Sequence, residues 1–112
     1  MGKSEVKRFL EERKILNDIV MKYSDKNIKR FYNLDSSVFH KGALPIKTKE
    51  LIGLVASLVL RCNDCVTYHI ARCKDEGVTD AELEEALAIG LIVGGSITIP
   101  SLRHAFKCWE EL

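Results

Sequence analysis

Two cysteines separated by two residues, Cys62 and Cys65, are the part of this sequence best suited to chemistry. Thiols at this spacing can close an easily reduced disulfide, and a thiolate forms readily where a helix begins, because free backbone N–H groups favour negative charge. His69 follows Cys65 by one helical turn and could therefore take the proton of that thiol. The pattern indicates thiol redox chemistry, with metal binding as the competing interpretation.

The metal interpretation rests on four residues with the side chains of zinc ligands, Cys62, Cys65, His69 and Cys73. On one helix, Cys65 and Cys73 would lie about 12 Å apart along the axis, a span that zinc–sulfur bonds of about 2.3 Å cannot bridge. A three-ligand site of Cys62, Cys65 and His69 stays open on this argument. We favour redox chemistry that needs no metal, and we interpret Cys73 and Cys108 as buried apolar side chains.

Glu50 is a candidate partner for the histidine. It could orient or charge the imidazole of His69 if the third and fourth predicted helices pack side by side. A glutamate in the first turn of a helix is also favourable simply because it interacts with the helix dipole. The sequence alone leaves both interpretations open.

Apolar residues recur at helical spacing along most of the chain, and no strand-like alternation competes with them, so we predict an all-α bundle of about six helices. The first three predicted helices cover residues 5–22 with Ser4 as N-cap, residues from a cap at Ser24 or Asp25 to about 39, and residues 49–60 with Thr48 as N-cap. The fourth predicted helix covers residues 64–76 and stops at Gly77. The fifth begins at the capping box Thr79–Glu82 and runs to about residue 93. The last begins near Pro100 and carries Leu102, Phe106 and Trp109.

The third and fifth predicted helices are apolar on nearly every side, so we expect both to be buried. Ala86, Gly90 and Gly94 recur at four-residue intervals on the fifth helix, and Gly53 and Ser57 repeat that spacing on the third. We expect these small residues to face one another, because they let two helices approach closely. One small domain cannot cover two such helices, so we also predict an oligomer.

Composition excludes several functional classes. The chain has 17 Lys and Arg against 16 Asp and Glu, and this net charge of +1 predicts neither nucleic-acid binding nor attraction to membranes. The longest apolar stretch, residues 51–60, is far shorter than the roughly 20 residues of a membrane-spanning helix. The opening residues carry no apolar signal-peptide core, so we predict a cytoplasmic protein with one domain, residues 1–112.

Glu50, Cys62, Cys65 and His69 together form a four-point pattern: a glutamate, eleven residues, Cys-x-x-Cys, three residues and a histidine. In this pattern the chain resembles the carboxymuconolactone decarboxylase superfamily, and specifically its alkyl hydroperoxidase D branch. The resemblance is not limited to the motif: it begins at residue 42, before the motif, and continues to residue 95, after it.

The resemblance implies an all-α fold assembled as a homotrimer or homohexamer, a disulfide that cycles between Cys62 and Cys65, and a proton relay through His69 and Glu50. Our leading hypothesis is a thiol-dependent hydroperoxide reductase or disulfide oxidoreductase that needs no cofactor. Cys62, expected to be the more exposed thiol, attacks the hydroperoxide or substrate disulfide, and Cys65 then closes the disulfide. Members of that branch take electrons from a dithiol donor, lipoyl-type or thioredoxin-like, and pass them to peroxides or to a peroxiredoxin.

Two further hypotheses stay open. One is a carboxymuconolactone decarboxylase-like lyase or isomerase that uses His69 as its base. The other is a non-enzymatic oligomer whose disulfide senses the redox state. The chain also departs from many members of the branch, which have a histidine between the cysteines where this chain has Asn63 and Asp64. A carboxylate beside the thiols disfavours their ionisation, so we expect slow peroxidase turnover.

Overall fold

The protein is a bundle of helices in the computed structural model, which describes residues 4–112. Its elements are α1 (Glu5–Tyr23), α2 (Lys26–Val38), α3 (Ile46–Val59), α4 (Asn63–Asp75), α5 (Asp80–Gly94), a 3₁₀ turn (Ser96–Thr98) and α6 (Ile99–Glu110). No strand occurs within residues 4–112, so the predicted all-α class and the six helices are confirmed. Residues 1–3 lie outside the described residues, so the expectation that the opening residues form no signal peptide is not tested there.

Capping side chains begin three of the six helices within residues 4–112 where the sequence predicts them, at Ser4, Asp25 and Thr79. The Ser4 hydroxyl accepts from the backbone N–H of Lys7, and Thr79 and Glu82 each accept from the other's backbone N–H, which completes the capping box. The prediction for Thr48 was wrong, because α3 already begins at Ile46, directly after Pro45, and has no side-chain cap. Proline fixes its own φ near −65° and lets the chain enter the helix at once, so Thr48 lies inside the first turn.

The core lies between α3, α4, α5 and α6; α1 adds the buried Val6, and its partly buried Leu10 packs against the core. Leu54 and Leu58 from α3 meet Ile70 from α4 and Leu87 from α5, and all four side chains are fully buried. Burying an aliphatic side chain of this size contributes about 1.5–3 kcal/mol to folding. This four-helix core therefore gives α3 and α4 a rigid mutual arrangement, on which the candidate site depends.

Many large apolar side chains stay exposed on the single chain. No residue of α2 is buried, and Ile52 on α3, Leu60 just after α3, and Ile92 and Val93 on α5 are more than half exposed. A single chain therefore leaves part of α3 and α5 uncovered, as expected if an oligomer buries them, and their burial on all sides stays a prediction. None of the helices within residues 4–112 is both long and apolar enough to cross a membrane.

The small residues of α5 let this helix approach α3 closely, as predicted. A Cβ added to Gly90 would lie 2.8 Å from Leu58 Cδ2 and 3.3 Å from Val55 Cγ1 of α3. The prediction that Gly53 faces the small residues of α5 was wrong, because Gly53 faces Phe39 and His69. Helix rotation, which sequence spacing leaves undetermined, turns Gly53 to the candidate site instead of the core.

Candidate active site

Cys62 and Cys65 lie at the junction of α3 and α4, where they are joined by a disulfide with their Cα atoms 5.2 Å apart. Cys62 is the N-cap of α4, and its Sγ accepts from the backbone N–H of Cys65 at 3.2 Å. A free N–H of a helix N-terminus stabilises negative charge on a sulfur. When the disulfide opens, the helix therefore favours the thiolate form of Cys62.

The end of α3 fixes the position of Cys62. Arg61 adopts φ 58°, its N–H donates to the Leu58 carbonyl, and the N–H of Cys62 donates to the Ser57 carbonyl. These two bonds form the Schellman motif, which usually has glycine at the left-handed position. Because an arginine stands there, the sequence offered no signal for this turn.

Cys65 is exposed, whereas Cys62 is only half-exposed. The expectation that Cys62 is the more exposed thiol is therefore wrong. The reason is geometric: the N-cap sulfur folds over the first turn of α4 to reach its N–H, while Cys65 projects outward from that turn. Cys65, and not Cys62, lines the large cavity beside the pair.

The cavity has a volume of about 690 Å³, and its walls come from α1, α2, α3 and α4. Glu50, Cys65 and His69 lie on one wall. The remaining lining mixes aromatic and charged groups: Phe9, Glu12, Arg13, Leu16, Asn17, Asp35, Ser36, Phe39, His40, Ile46, Asp64, Tyr68 and Arg72. A cavity of this size and mixed lining can admit a small organic molecule to Cys65.

Glu50 reaches His69 across 19 residues of sequence, because α3 and α4 pack side by side. Its Oε1 lies 2.8 Å from His69 Nδ1, and its Oε2 lies 3.6 Å from Arg72 Nε. Glu50 is 3% exposed, and a buried carboxylate needs such partners. With Nδ1–H donating to the carboxylate, Nε2 of His69 is left with the lone pair that accepts a proton.

Two aromatic rings hold the imidazole of His69 in place. Phe39, just after α2, lies 5.3 Å from it and Tyr68 lies 5.2 Å from it, measured between ring centroids. Arg13 of α1 covers the other side of Tyr68 at 3.9 Å, so α1 and α2 both reach the site through this stack. The sequence analysis missed Phe39, Tyr68 and Arg13, because their contacts depend on how α1 and α2 fold back over α4.

Gly53 gives His69 the space that it occupies. A Cβ at this position would lie 2.8 Å from His69 Cε1 and 3.1 Å from Nε2. We expect Gly53→Ala to displace the imidazole and to slow oxidation of the reduced pair by peroxide about tenfold, since misplaced catalytic groups lose rate steeply. Stopped-flow measurement of that oxidation, beside the melting temperature, tests this prediction.

Gly90→Ala is the matched control, because its added Cβ would come equally close, 2.8 Å, to a core side chain, Leu58, rather than to His69. It should lower stability by about 1–3 kcal/mol and leave the oxidation rate unchanged. Equal effects of both substitutions on the rate would show that Gly53 does not act through His69.

Cys73 and Cys108 are both buried and carry free thiols. Burial, reinforced by the charge of Glu50, raises the pKa of Cys73 to about 12. Burial also raises the pKa of Cys108. Since the thiolate is the nucleophile, both thiols are unreactive near neutral pH.

We therefore expect iodoacetamide to label only Cys62 and Cys65 in the reduced, folded protein at pH 8. With a pKa of about 12, Cys73 would be ionised to only about one part in 10⁴ at that pH, and its ionised fraction would rise tenfold with each pH unit. Mild peroxide should therefore abolish labelling of the folded protein, because both reactive thiols are then in the disulfide, and peptide mapping should join residues 62 and 65. A bridge that includes Cys73 would contradict this assignment.

Within residues 4–112, no group of three or more His, Cys, Asp or Glu side chains is arranged to hold a metal ion. His69 instead turns Nδ1 to Glu50. That the protein needs no metal stays a prediction, which elemental analysis of the reduced protein can test.

Solved structures share this architecture. A protein of Thermotoga maritima is 56% identical to this chain, with a TM-score of 0.92 over 94% of this chain and 92% of that one. A second crystal structure of the same Thermotoga protein, 56% identical with a TM-score of 0.89 over 93% of this chain and 88% of that one, describes it as a carboxymuconolactone decarboxylase family protein with a suggested role in the antioxidative response. A family member from Legionella pneumophila, 23% identical with a TM-score of 0.87 over 96% of each chain, shares the fold.

Two uncharacterized bacterial proteins match the chain in sequence. One, from Cupriavidus necator, is 32% identical over 77 residues, which are 69% of this chain and 66% of that protein, just under two thirds of its length. The other, encoded in the cox locus of Paracoccus denitrificans, is 35% identical over 82 residues, 73% of this chain and 74% of that protein. The model of the carboxymuconolactone decarboxylase family matches residues 26–111. The chain therefore belongs to the carboxymuconolactone decarboxylase family.

Proposed function

We propose that the protein is a thiol-dependent oxidoreductase of the alkyl hydroperoxidase D type, which reduces hydroperoxides or disulfides through Cys62 and Cys65. The observation that carries the proposal is that Cys65 and the paired His69 and Glu50 line one wall of the same cavity. The antioxidative role suggested for the Thermotoga maritima relative supports the same chemistry.

We assign the first attack to Cys65, because it is exposed to the cavity and His69 follows it by one helical turn. His69 takes the Cys65 proton, and the thiolate attacks the terminal oxygen of ROOH. The O–O bond breaks, giving Cys65 sulfenic acid and RO⁻, which takes the proton from His69 and leaves as ROH. The Cys62 thiol then loses its proton, and its thiolate attacks the Cys65 sulfur and displaces hydroxide. The proton lost by Cys62 converts this hydroxide to water.

A dithiol donor closes the cycle, and the geometry favours attack at the same sulfur. The donor thiolate reaches the exposed Cys65 Sγ and expels Cys62 as a thiolate, which the N–H at the start of α4 stabilises. The second donor thiol then releases Cys65, so the donor leaves as its own disulfide. A lipoyl-type or thioredoxin-like dithiol fits this role, and a peroxiredoxin is a candidate acceptor of the electrons.

Asp64 lies between the cysteines and lines the cavity. A carboxylate there repels a second negative charge, so the proposed enzyme turns over slowly with peroxide unless a better oxidant is supplied. Steady-state loss of an organic hydroperoxide, measured with dihydrolipoamide, reduced thioredoxin or glutathione as electron donor, tests the activity and ranks the donors. If none of these donors supports peroxide loss, the proposed peroxidase activity is wrong.

The proposal includes a homotrimer or homohexamer in the cytoplasm, where reducing conditions maintain dithiol donors. The radius of gyration is 14.7 Å, against about 13 Å for a compact chain of this length. Light scattering at micromolar concentration should show three or six chains, because large apolar side chains such as Phe31, Leu60 and Ile92 are 69–82% exposed on the single chain and an oligomer would cover them. A monomer would contradict this part of the proposal.

A further inference from the structure

Helix α6, none of whose residues line the cavity, contacts the first turn of α4 between the two cysteines. The Ser101 hydroxyl, on a residue that is 5% exposed, donates to Oδ1 of Asn63 at 2.9 Å. Asn63 is the residue that directly follows Cys62, and it is the first residue of α4. The side chain of Asn63, an exposed residue, is thus anchored to a buried hydroxyl of another helix.

A second set of contacts holds the backbone of the same residue. The hydroxyl of Thr67, 4% exposed, donates to the carbonyl oxygen of Asn63 at 2.9 Å. That hydroxyl has a single proton, so its contact of 2.6 Å with Nε2 of His104 is one in which the imidazole N–H donates. His104 therefore holds Thr67, and Thr67 holds Asn63.

We propose that Ser101 and His104 are positioning residues for the redox pair, acting through Asn63 and Thr67. By fixing both oxygens of Asn63, they hold Cys62 and Cys65 at the separation of 5.2 Å between Cα atoms that a disulfide requires. Because the first turn of α4 is restrained, the two thiols stay close together at a high effective concentration, and this favours the disulfide over the dithiol. Loosening the restraint should shift the equilibrium toward the dithiol.

The inference rests on the proposed redox function of the pair, and the reaction that measures it is thiol–disulfide exchange. The protein disulfide takes two electrons and two protons from dithiothreitol, which leaves as its cyclic disulfide. The equilibrium constant of this reaction reports the relative free energies of the two folded forms of the protein. A residue that merely stabilises the fold lowers both forms equally and leaves this constant unchanged.

The first test is the substitution Ser101→Ala, which removes the donor to Asn63. The equilibrium constant for reduction by dithiothreitol should rise about fivefold, the factor that one typical hydrogen bond supplies. That factor corresponds to an increase in reduction potential of about 20 mV. In an Asn63→Ala background the same substitution should have no further effect, because its partner is then missing.

The second test compares two replacements of His104. His104→Leu removes the N–H donor to Thr67 and should shift the constant in the same direction, whereas His104→Gln keeps a donor of similar reach and should restore most of the wild-type value. The control is Thr98→Val, which removes a buried hydroxyl that donates to the Gly95 carbonyl and not to a residue between the cysteines. It should lower the melting temperature and leave the potential unchanged.

The outcomes separate this inference from the proposed function. If the wild-type pair cannot be reduced and reoxidised reversibly, the proposed redox function itself is wrong. If the pair cycles but Ser101→Ala and His104→Leu leave its potential unchanged, the positioning roles are wrong and the redox function stands. An equal shift in Thr98→Val would also overturn the inference, because the effect would then not depend on contacts with the residues between the cysteines.

Discussion

A Cys65→Ser variant is expected to lose hydroperoxide-driven oxidation of a dithiol by about 10³-fold or more, since removal of a nucleophile removes nearly all turnover. Cys65 is the thiol that the cavity exposes, and both half-reactions of the proposed cycle occur at its sulfur. Loss of tert-butyl hydroperoxide with dihydrolipoamide as donor measures the effect. Cys62→Ser should also stop turnover, but it should still allow one equivalent of peroxide to convert Cys65 to its sulfenic acid.

Cys73→Ala is the matched control for these variants, because it removes a thiol that is buried away from the cavity. It should keep turnover close to that of the wild-type protein. Undiminished peroxidase activity in a double Cys62→Ser, Cys65→Ser variant would contradict the thiol mechanism. Lyase or isomerase activity that survives in that double variant would favour the decarboxylase hypothesis, with His69 as the base.

Replacing His69 or Glu50 with glutamine should slow peroxide oxidation of the reduced pair by about 10²-fold near pH 7, the low end of a general-base contribution. His69→Gln removes the base itself. Glu50→Gln removes the carboxylate that accepts from Nδ1 and orients the ring, at 2.8 Å. Rates of the reduced proteins with peroxide, measured from pH 6 to pH 10, give both the size and the pH dependence of the effect.

Raising the pH should recover much of the lost rate in both variants. The thiol then loses its proton to hydroxide, so the rate should rise about tenfold per pH unit until the thiol is fully ionised. His40→Gln is the control, because this histidine also lines the cavity but lies in the connection between α2 and α3. Wild-type rates at pH 7 in both His69→Gln and Glu50→Gln would rule out the proton relay even if the disulfide forms.

The sequence determined the secondary structure and the family. Helical spacing of apolar residues, together with short-range caps such as Ser4 and the Thr79–Glu82 box, predicts the six helices, because these signals act within one or two turns. The motif of Glu50, Cys62, Cys65 and His69 was equally readable, since redox chemistry needs fixed residue types at fixed spacings. Where local signals misled, as at Thr48, a neighbouring proline had already set the start of the helix.

Only the tertiary structure decided how these residues meet. The contact of Glu50 with His69 depends on the packing of α3 beside α4, and the same packing turns Gly53 to the imidazole instead of to α5. The position of Cys62 depends on a left-handed turn at Arg61, where the sequence has no glycine to indicate it. The bond from Ser101 to Asn63 joins residues 38 positions apart. Such contacts depend on the rotation and crossing of helices, which side-chain packing throughout the core sets and which no local pattern encodes.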